Sequence, residues 1–235
     1  MAIQNQIKRR LGGSLGELQT LIDYSQHPSI TEGFFNHIIA SGYWSSTSYI
    51  KSSLDAWYVD FYIGTSDWHS TYHKRSNRYV RCVQGGQLEP SSLSRNDDIV
   101  TDSTTGLQWQ DDTAVEGERR TWIEAIDYCE NTLVLGGHSD WRLPNINELL
   151  SIVDYSKYDP ALDTSIFQNY SSAAYWSSTS TLPIATVSSA LYVSFYNQGG
   201  ASLRSYKSSR GWVRCVRDVQ ANIPANPSII MYLLD

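Results

Sequence analysis

The side chains with the chemistry for catalysis or metal binding are few and widely spaced. Cys82, Cys129 and Cys215 are the only cysteines, and no Cys-x-x-Cys or paired-histidine spacing makes a zinc site of them. The five histidines, at 27, 37, 69, 73 and 138, form no triad. His69 and His73 are four apart, but they fall in a polar stretch where helical ligand geometry does not apply. No glycine-rich phosphate loop, nucleophile elbow or carboxylate pair stands out. Calcium binding of the lectin type wants clustered carboxylates and amides in late loops, and residues 164–217 contain no Asp or Glu. The expectation is a protein without metal, cofactor or catalytic residues.

That acid-free stretch points to binding instead. Its charged residues are Arg204, Lys207, Arg210, Arg214 and Arg217, all basic, in a chain with 18 basic and 24 acidic residues and a net charge of −6. Lys74, Arg75, Arg78 and Arg81 repeat the theme after Asp67. A locally basic surface suits sulfated or carboxylated partners through charge-assisted hydrogen bonds. Alternatively Arg81 and Arg214, which recur within VRCV, are structural and the rest is a solvated face. Tyr (16) and Trp (8) are plentiful, as on recognition surfaces and equally as in β-rich domains. The overall acidity, with a pI near 5.3, argues against a general nucleic-acid binder. No run approaches the roughly 18 apolar residues that span a bilayer. The start, MAIQNQIKRRLGG, lacks the apolar centre of a secretory signal, so the chain is either cytoplasmic or exported by a segment not present in it.

The elements that must position these residues come in two related sets. SLGELQTLIDYS (14–25) matches INELLSIVDYS (146–156), YWSSTS recurs at 43–48 and 175–180, AWYVDFY (56–62) answers ALYVSFY (190–196), and RYVRCVQ (78–84) answers GWVRCVR (211–217). The offset drifts only from 131 to 134 residues, as in a tandem repeat with small loop insertions. Glu17 and Glu148 match, and read either as catalytic acids or as solvated or capping carboxylates. The long segment before the second set has almost no counterpart before the first, so the first copy is incomplete. Domains are expected at 1–85 (incomplete repeat), 95–218 (complete) and a tail at 219–235, with 86–94, GQLEPSSLS, as linker. Exposed apolar surface on the incomplete copy should pack on the second domain or another subunit.

Within the complete copy, GLQW (106–109) reads as a strand. RTWIEAIDYCENTL reads as a helix capped by Thr121, with Trp122, Ile123, Ile126 and Cys129 or Leu133 on its apolar stripe. Pro144 opens a second helix whose buried stripe is Leu149, Leu150 and Val153. Strands follow at AAYWSSTS, ALYVSFY and GWVRCVR. The first copy should hold one helix near 14–24 and strands near 43–48, 57–62 and 79–83. Helices followed by antiparallel strands make an α+β fold.

The ordered landmarks TTGLQW…AIDYC…GGHSDWRLPNINEL…YWSST…VRCVR resemble the Lcl C-terminal-like domain family of bacterial surface adhesins, over essentially all of 96–217 and partly again over 8–83. The resemblance implies a C-type lectin-like or formylglycine-generating-enzyme-like fold: two helices with a twisted antiparallel sheet. It also implies an extracellular or cell-surface, non-enzymatic binding module for glycans, anionic polysaccharides among them, or for a surface protein. That fold plan brings Cys129 and Cys215 together for a disulfide and leaves Cys82 an orphan; three buried thiols are the alternative. An enzyme on the formylglycine-generating scaffold would need an active cysteine pair beyond these. A diversified protein receptor, or a structural subunit in which a homo-oligomer completes the first copy, remain alternatives. The inserts 63–78 and 197–210 differ most between copies and are rich in Ser, Tyr, His, Arg and Gly. Ligand binding is therefore expected at Tyr62, Trp68, Tyr72, His73 and Arg75, and at Tyr196, Arg204, Tyr206, Lys207 and Arg210, with Trp44, Trp141 and Trp176 in the core.

Overall fold

The structure, a computed structural model, describes residues 13–30, 39–67, 74–83, 91–181, 188–196 and 199–219. Trp68, Tyr72, His73 and residues 220–235 of the expected tail lie outside the described residues. The chain is α+β, with few helices and many strands, and divides into two compact units, Met1–Leu88 and Glu89–Asp235.

In the first unit α1 (Leu15–Gln19) precedes β1 (Gly42–Ser48), β2 (Ala56–Asp60), β3 (Thr65–Asp67) and β4 (Tyr79–Val80). These strands lie in the order β4-β1-β2-β3; β1 runs antiparallel to β2 and parallel to β4, and β2 antiparallel to β3. The helix is shorter than the expected 14–24. The side chain of Asp23 accepts the backbone N–H of Ser25 at 2.9 Å, offering the chain a local turn in place of further helix. Leu15, Leu18, Trp57, Val59 and Phe61 are buried around it.

The second unit begins with β5 (Leu93–Asn96), β6 (Ile99–Asp102) and β7 (Leu107–Gln110), then a 3-10 turn at Thr113–Glu116. The β5–β6 hairpin turns through Asp97 and Asp98, and Asp97 takes a left-handed φ of 49° that Asp tolerates better than most residues. Its first residues, Leu93 and Ser94, fall inside the stretch read as linker. After α2 (Trp122–Asp127) comes a single π turn, Tyr128–Thr132, and then α3 (Ile146–Ser151). Strands β8 (Ala174–Ser180), β9 (Ser189–Ser194) and β10 (Ala201–Tyr206) form an antiparallel run with β9 central; β11 (Val216–Asp218) extends a second sheet in the order β11-β7-β6-β5.

All three helices start with the same device. Ser14 with Glu17, Thr121 with Glu124, and Asn145 with Glu148 form reciprocal capping boxes. Glu17 and Glu148 are thus helix-capping carboxylates, and Glu148 also holds Arg142 through two 2.7 Å contacts. The expected stripe on α2 needs one correction. Ile123 is exposed, because it stands about 100° round the helix from Trp122. Cys129 and Leu133 are buried as expected, Trp122 and Ile126 pack partly buried beside them, and Ala125 joins the buried face. On α3, Leu149 and Leu150 are buried and Val153 half-buried.

The repeated YWSSTS motif has the same local duties in each unit. Its first serine donates to a neighbouring-strand carbonyl at 2.9 Å, Ser45 to Trp57 and Ser177 to Leu191. Its threonine hydroxyl accepts the first free helix N–H at 3.0 Å, Thr47 from Leu15 and Thr179 from Ile146. Pairing shifts register between Trp44 and Ser48 and likewise between Trp176 and Ser180.

The core of the second unit gathers Ala125, Cys129, Leu133, Trp141, Trp176 and Cys215. Cys129 and Cys215 are joined by a disulfide with Cα atoms 5.6 Å apart, the pairing implied by the family resemblance. Cys82 is free and exposed. Trp141 and Trp176 are buried, while Trp44 is half-buried.

Candidate functional site

The basic stretch 204–217 divides by burial. Arg214 is only 2% exposed. Its guanidinium donates to Asp111 (2.9 Å) and to the carbonyls of Gln110 and Asn169 (2.6 Å each), and stacks 4.7 Å over Phe167. Asp111 is fully buried and also paired with Arg95. Arg217 is buried and paired with Asp140 at 2.8 Å. These two arginines hold the β7–β11 region to its surroundings and are not part of a ligand surface, which settles the structural alternative for Arg214.

Arg204, Tyr206, Lys207 and Arg210 are the expected ligand-binding residues of this stretch. Arg204 and Tyr206 are two residues apart on β10 and so share one face; both are exposed, Tyr206 by 58%. The Arg204 guanidinium has no ion pair or hydrogen bond among the described residues. Immediately beyond, Lys207 lies with its Nζ 3.6 Å from the centroid of the Trp122 ring and 2.6 Å from Ser180 Oγ. Burial pulls the Lys207 amine below the ordinary lysine range. Trp122 is fixed in turn, its indole N–H donating to the Ser177 carbonyl at 2.8 Å. Aromatic ring, ammonium and hydroxyl therefore form one rigid group at the start of α2.

Arg210 is more committed than the sequence suggests. It donates to the Arg119 carbonyl at 2.8 Å and lies 3.5 Å from Glu124. The Glu124 carboxyl is held below the usual range by the Thr121 backbone and hydroxyl donors, with Arg210 and Arg120 adding to the effect. A shallow open groove of about 330 Å³ runs here between Glu118, Arg120, Glu124, Asp127, Tyr128 and Arg210. The Arg120 guanidinium covers the Tyr128 ring at 4.0 Å. Burial raises Tyr128, against the opposing hydrogen bond from Gln110. With three carboxylates against two guanidiniums, this groove is a mixed-charge neighbour of the β10 face.

The remaining expected residues are scattered. Tyr196 is exposed just past β9. In the first unit Tyr62 is exposed and meets the His27 ring edge-on at 4.4 Å, and Arg75 is exposed. No ring contact or hydrogen bond joins Tyr62 to Arg75 among the described residues. Lys74, the match of Lys207, likewise reaches a serine, Ser48, at 2.9 Å. Sequence reasoning did not place Trp122, Ser180 and Arg120 beside these residues: Trp122 carries the periodicity of a core position, and nothing local marks the other two.

The family model described as the Lcl C-terminal domain matches residues 14–84 and 98–217. The chain belongs to the Lcl C-terminal domain family. Both units of this Lcl C-terminal domain protein carry matched residues, and the β10 face and α2 lie within the second match. None of the curated proteins matches the chain. Among the described residues no helix is long and apolar enough to cross a membrane, and no cluster of three or more His, Cys, Asp or Glu side chains is placed to hold a metal.

Proposed function

We propose that this protein is a non-enzymatic, adhesin-type binding module that works outside the bacterial cell and takes anionic polysaccharide on the β10 face of its second unit. The reading draws on three supports. The family membership is that of a surface-associated domain. A buried disulfide suits an oxidising compartment. The carrying observation is the side-by-side exposure of Arg204 and Tyr206, continued by Lys207 on its Trp122 platform.

Each group has a chemical task. Tyr206 offers a flat face on which a sugar ring stacks. Arg204 offers a planar fork for bidentate hydrogen bonding to a sulfate or carboxylate. Lys207 is a point charge held at a fixed place by Trp122 and Ser180, which lowers the entropy lost on binding. Arg210, already engaged by Glu124, contributes least. A C-type lectin-like arrangement with a tandem, incomplete first copy is the architecture that this reading adopts.

The test is a titration of heparin-type sulfated oligosaccharide against the parent and the triple variant Arg204→Ala, Lys207→Ala, Arg210→Ala. Loss of two effective contacts weakens binding by about a hundredfold at roughly 1.4 kcal/mol per tenfold step, with the thermal midpoint within a few degrees of the parent. Equal affinity at low salt would remove the β10 face from the account.

A further inference from the structure

Arg120 in the second unit is firmly placed, yet no carboxylate answers it. Its backbone N–H and carbonyl each make a 2.9 Å hydrogen bond with Gly211, and that carbonyl also accepts the Trp176 indole N–H at 3.0 Å. A Cβ at Gly211 would meet the indole nitrogen at 2.8 Å, so the close approach needs glycine. The Arg120 side chain is laid on the Tyr128 ring at 4.0 Å, and its Nη1 donates to the Glu118 carbonyl at 3.0 Å. Tyr128 is held in turn, its hydroxyl accepting from the Gln110 amide at 2.9 Å. Among the described residues the Arg120 guanidinium makes no ion pair, so most of its N–H groups are open to a ligand.

The groove that Arg120 lines holds both signs of charge. Arg210 is engaged by the Arg119 carbonyl and Glu124, and Glu124 is engaged by the Thr121 cap. Two carboxylates stay open beside Arg120. That of Glu118 has no partner among the described residues, and that of Asp127 takes one hydrogen bond, from the Asn131 amide at 3.0 Å. These three side chains line one groove of about 330 Å³, at the small end of ligand pockets and so room for one small unit. An anion alone would meet two unanswered carboxylates there, and a cation alone a fixed guanidinium. A group that carries both charges satisfies all three at once.

We propose that this groove is a subsite for a zwitterionic sugar unit, a sulfated amino sugar whose amine is unsubstituted. The sulfate pairs with the Arg120 fork, and the ammonium is held by Glu118 and Asp127. The inference rests on the polysaccharide reading of the β10 face, because the two places share one segment of chain. The Trp122 N–H donates to the Lys207 carbonyl at 3.1 Å and Arg120 is bonded to Gly211, so residues 207–211 are stitched to the start of α2. Lys207 at one end of that segment continues the β10 face, and Arg210 near the other lines the groove. One polymer therefore reaches Lys207 with one unit and Arg120 with another. That continuity favours a polysaccharide over a peptide of mixed charge.

The probes are heparin-type oligosaccharides of one length, N-desulfated, and the same material N-acetylated afterwards, so that the O-sulfates are equal and only the amine is masked. Calorimetric titration into the full-length chain should show the free-amine form binding about fivefold to tenfold more tightly, the size of one or two partly exposed ion pairs. Glu118→Gln with Asp127→Asn, conservative changes at exposed positions, should bring that ratio to about one. Arg120→Gln should weaken both forms, because both carry the sulfate. Equal affinity of the two forms for the parent, or a preference that survives the double variant, overturns the inference and leaves the β10 reading standing. If neither form binds, the β10 reading fails, and glucosamine 6-sulfate against N-acetylglucosamine 6-sulfate then decides the groove by nuclear magnetic resonance. Shifts of the Glu118 and Asp127 amides with the free amine alone uphold the subsite, and equal or absent shifts overturn it. A Lys–Glu peptide that displaces glucosamine 6-sulfate and binds more tightly than either oligosaccharide would assign the groove to a protein partner and also overturn it.

Discussion

Arg204 and Arg214 belong to one basic stretch of sequence, yet solvent surrounds the first and protein the second. Their truncations should therefore separate cleanly. Arg214→Ala removes one cation from the buried Asp111 carboxylate and strands two carbonyls, and should lower the unfolding free energy by about 3–5 kcal/mol. Arg204→Ala should change it by less than about 0.5 kcal/mol, since surface substitutions away from structural features do little. Urea unfolding of the two variants checks both values. A second expectation concerns pH. The Asp140 carboxyl is held below its ordinary range by hydrogen bonding from Arg217, and Asp163 by hydrogen bonds from Lys157 and Ser165. In the unfolded chain both bind protons at a higher pH than in the folded one. Their contribution is thus present above the ordinary carboxylate range and is lost as the pH falls through the depressed folded values. The urea midpoint should hold from neutral pH down to about pH 5 and drop below about pH 4, and Asp140→Asn should make that acid drop smaller.

At the scale of elements, α2 and the final segment are bound together more strongly than the short helices alone would allow. The disulfide closes 86 residues of chain, and Cys129→Ser with Cys215→Ser should lower stability by about 2–5 kcal/mol. Thr121→Ala removes a capping oxygen at the start of α2 and should lower it by about 1 kcal/mol. Thermal unfolding followed by circular dichroism reads both. These elements were legible to different degrees. The α2 cap and the α3 stripe could be read from spacing, because caps and apolar periodicity act within a few residues. Helix lengths could not: Asp23 and Asp154 end α1 and α3 through local side-chain turns that outcompete apolar periodicity. The β5–β6 hairpin went unread because its Asn-Asp-Asp turn lacks the usual glycine. The reason YWSSTS recurs was also hidden, since its hydroxyls bond partners 12 to 33 residues away. For the site, sequence chose Arg204, Tyr206 and Lys207 from composition, but Trp122 and Ser180 join them only through the fold.

At the scale of the whole molecule, the central claim is that a basic, aromatic face on an acidic chain selects polyanions. Exposed charges lose most of their attraction beyond a Debye length, about 8 Å at physiological ionic strength and about 3 Å at 1 M. The face therefore has to discriminate by charge and to weaken with salt. The most direct measurement is calorimetric titration of matched sulfated and desulfated oligosaccharides into the parent protein and into Arg204→Ala, Tyr206→Ala across a series of salt concentrations. The account predicts that the sulfated ligand binds the parent more tightly, that its affinity falls steadily as salt rises, and that the double variant loses both the affinity and its salt dependence. Equal binding of the desulfated ligand, or affinity that ignores salt, would contradict it.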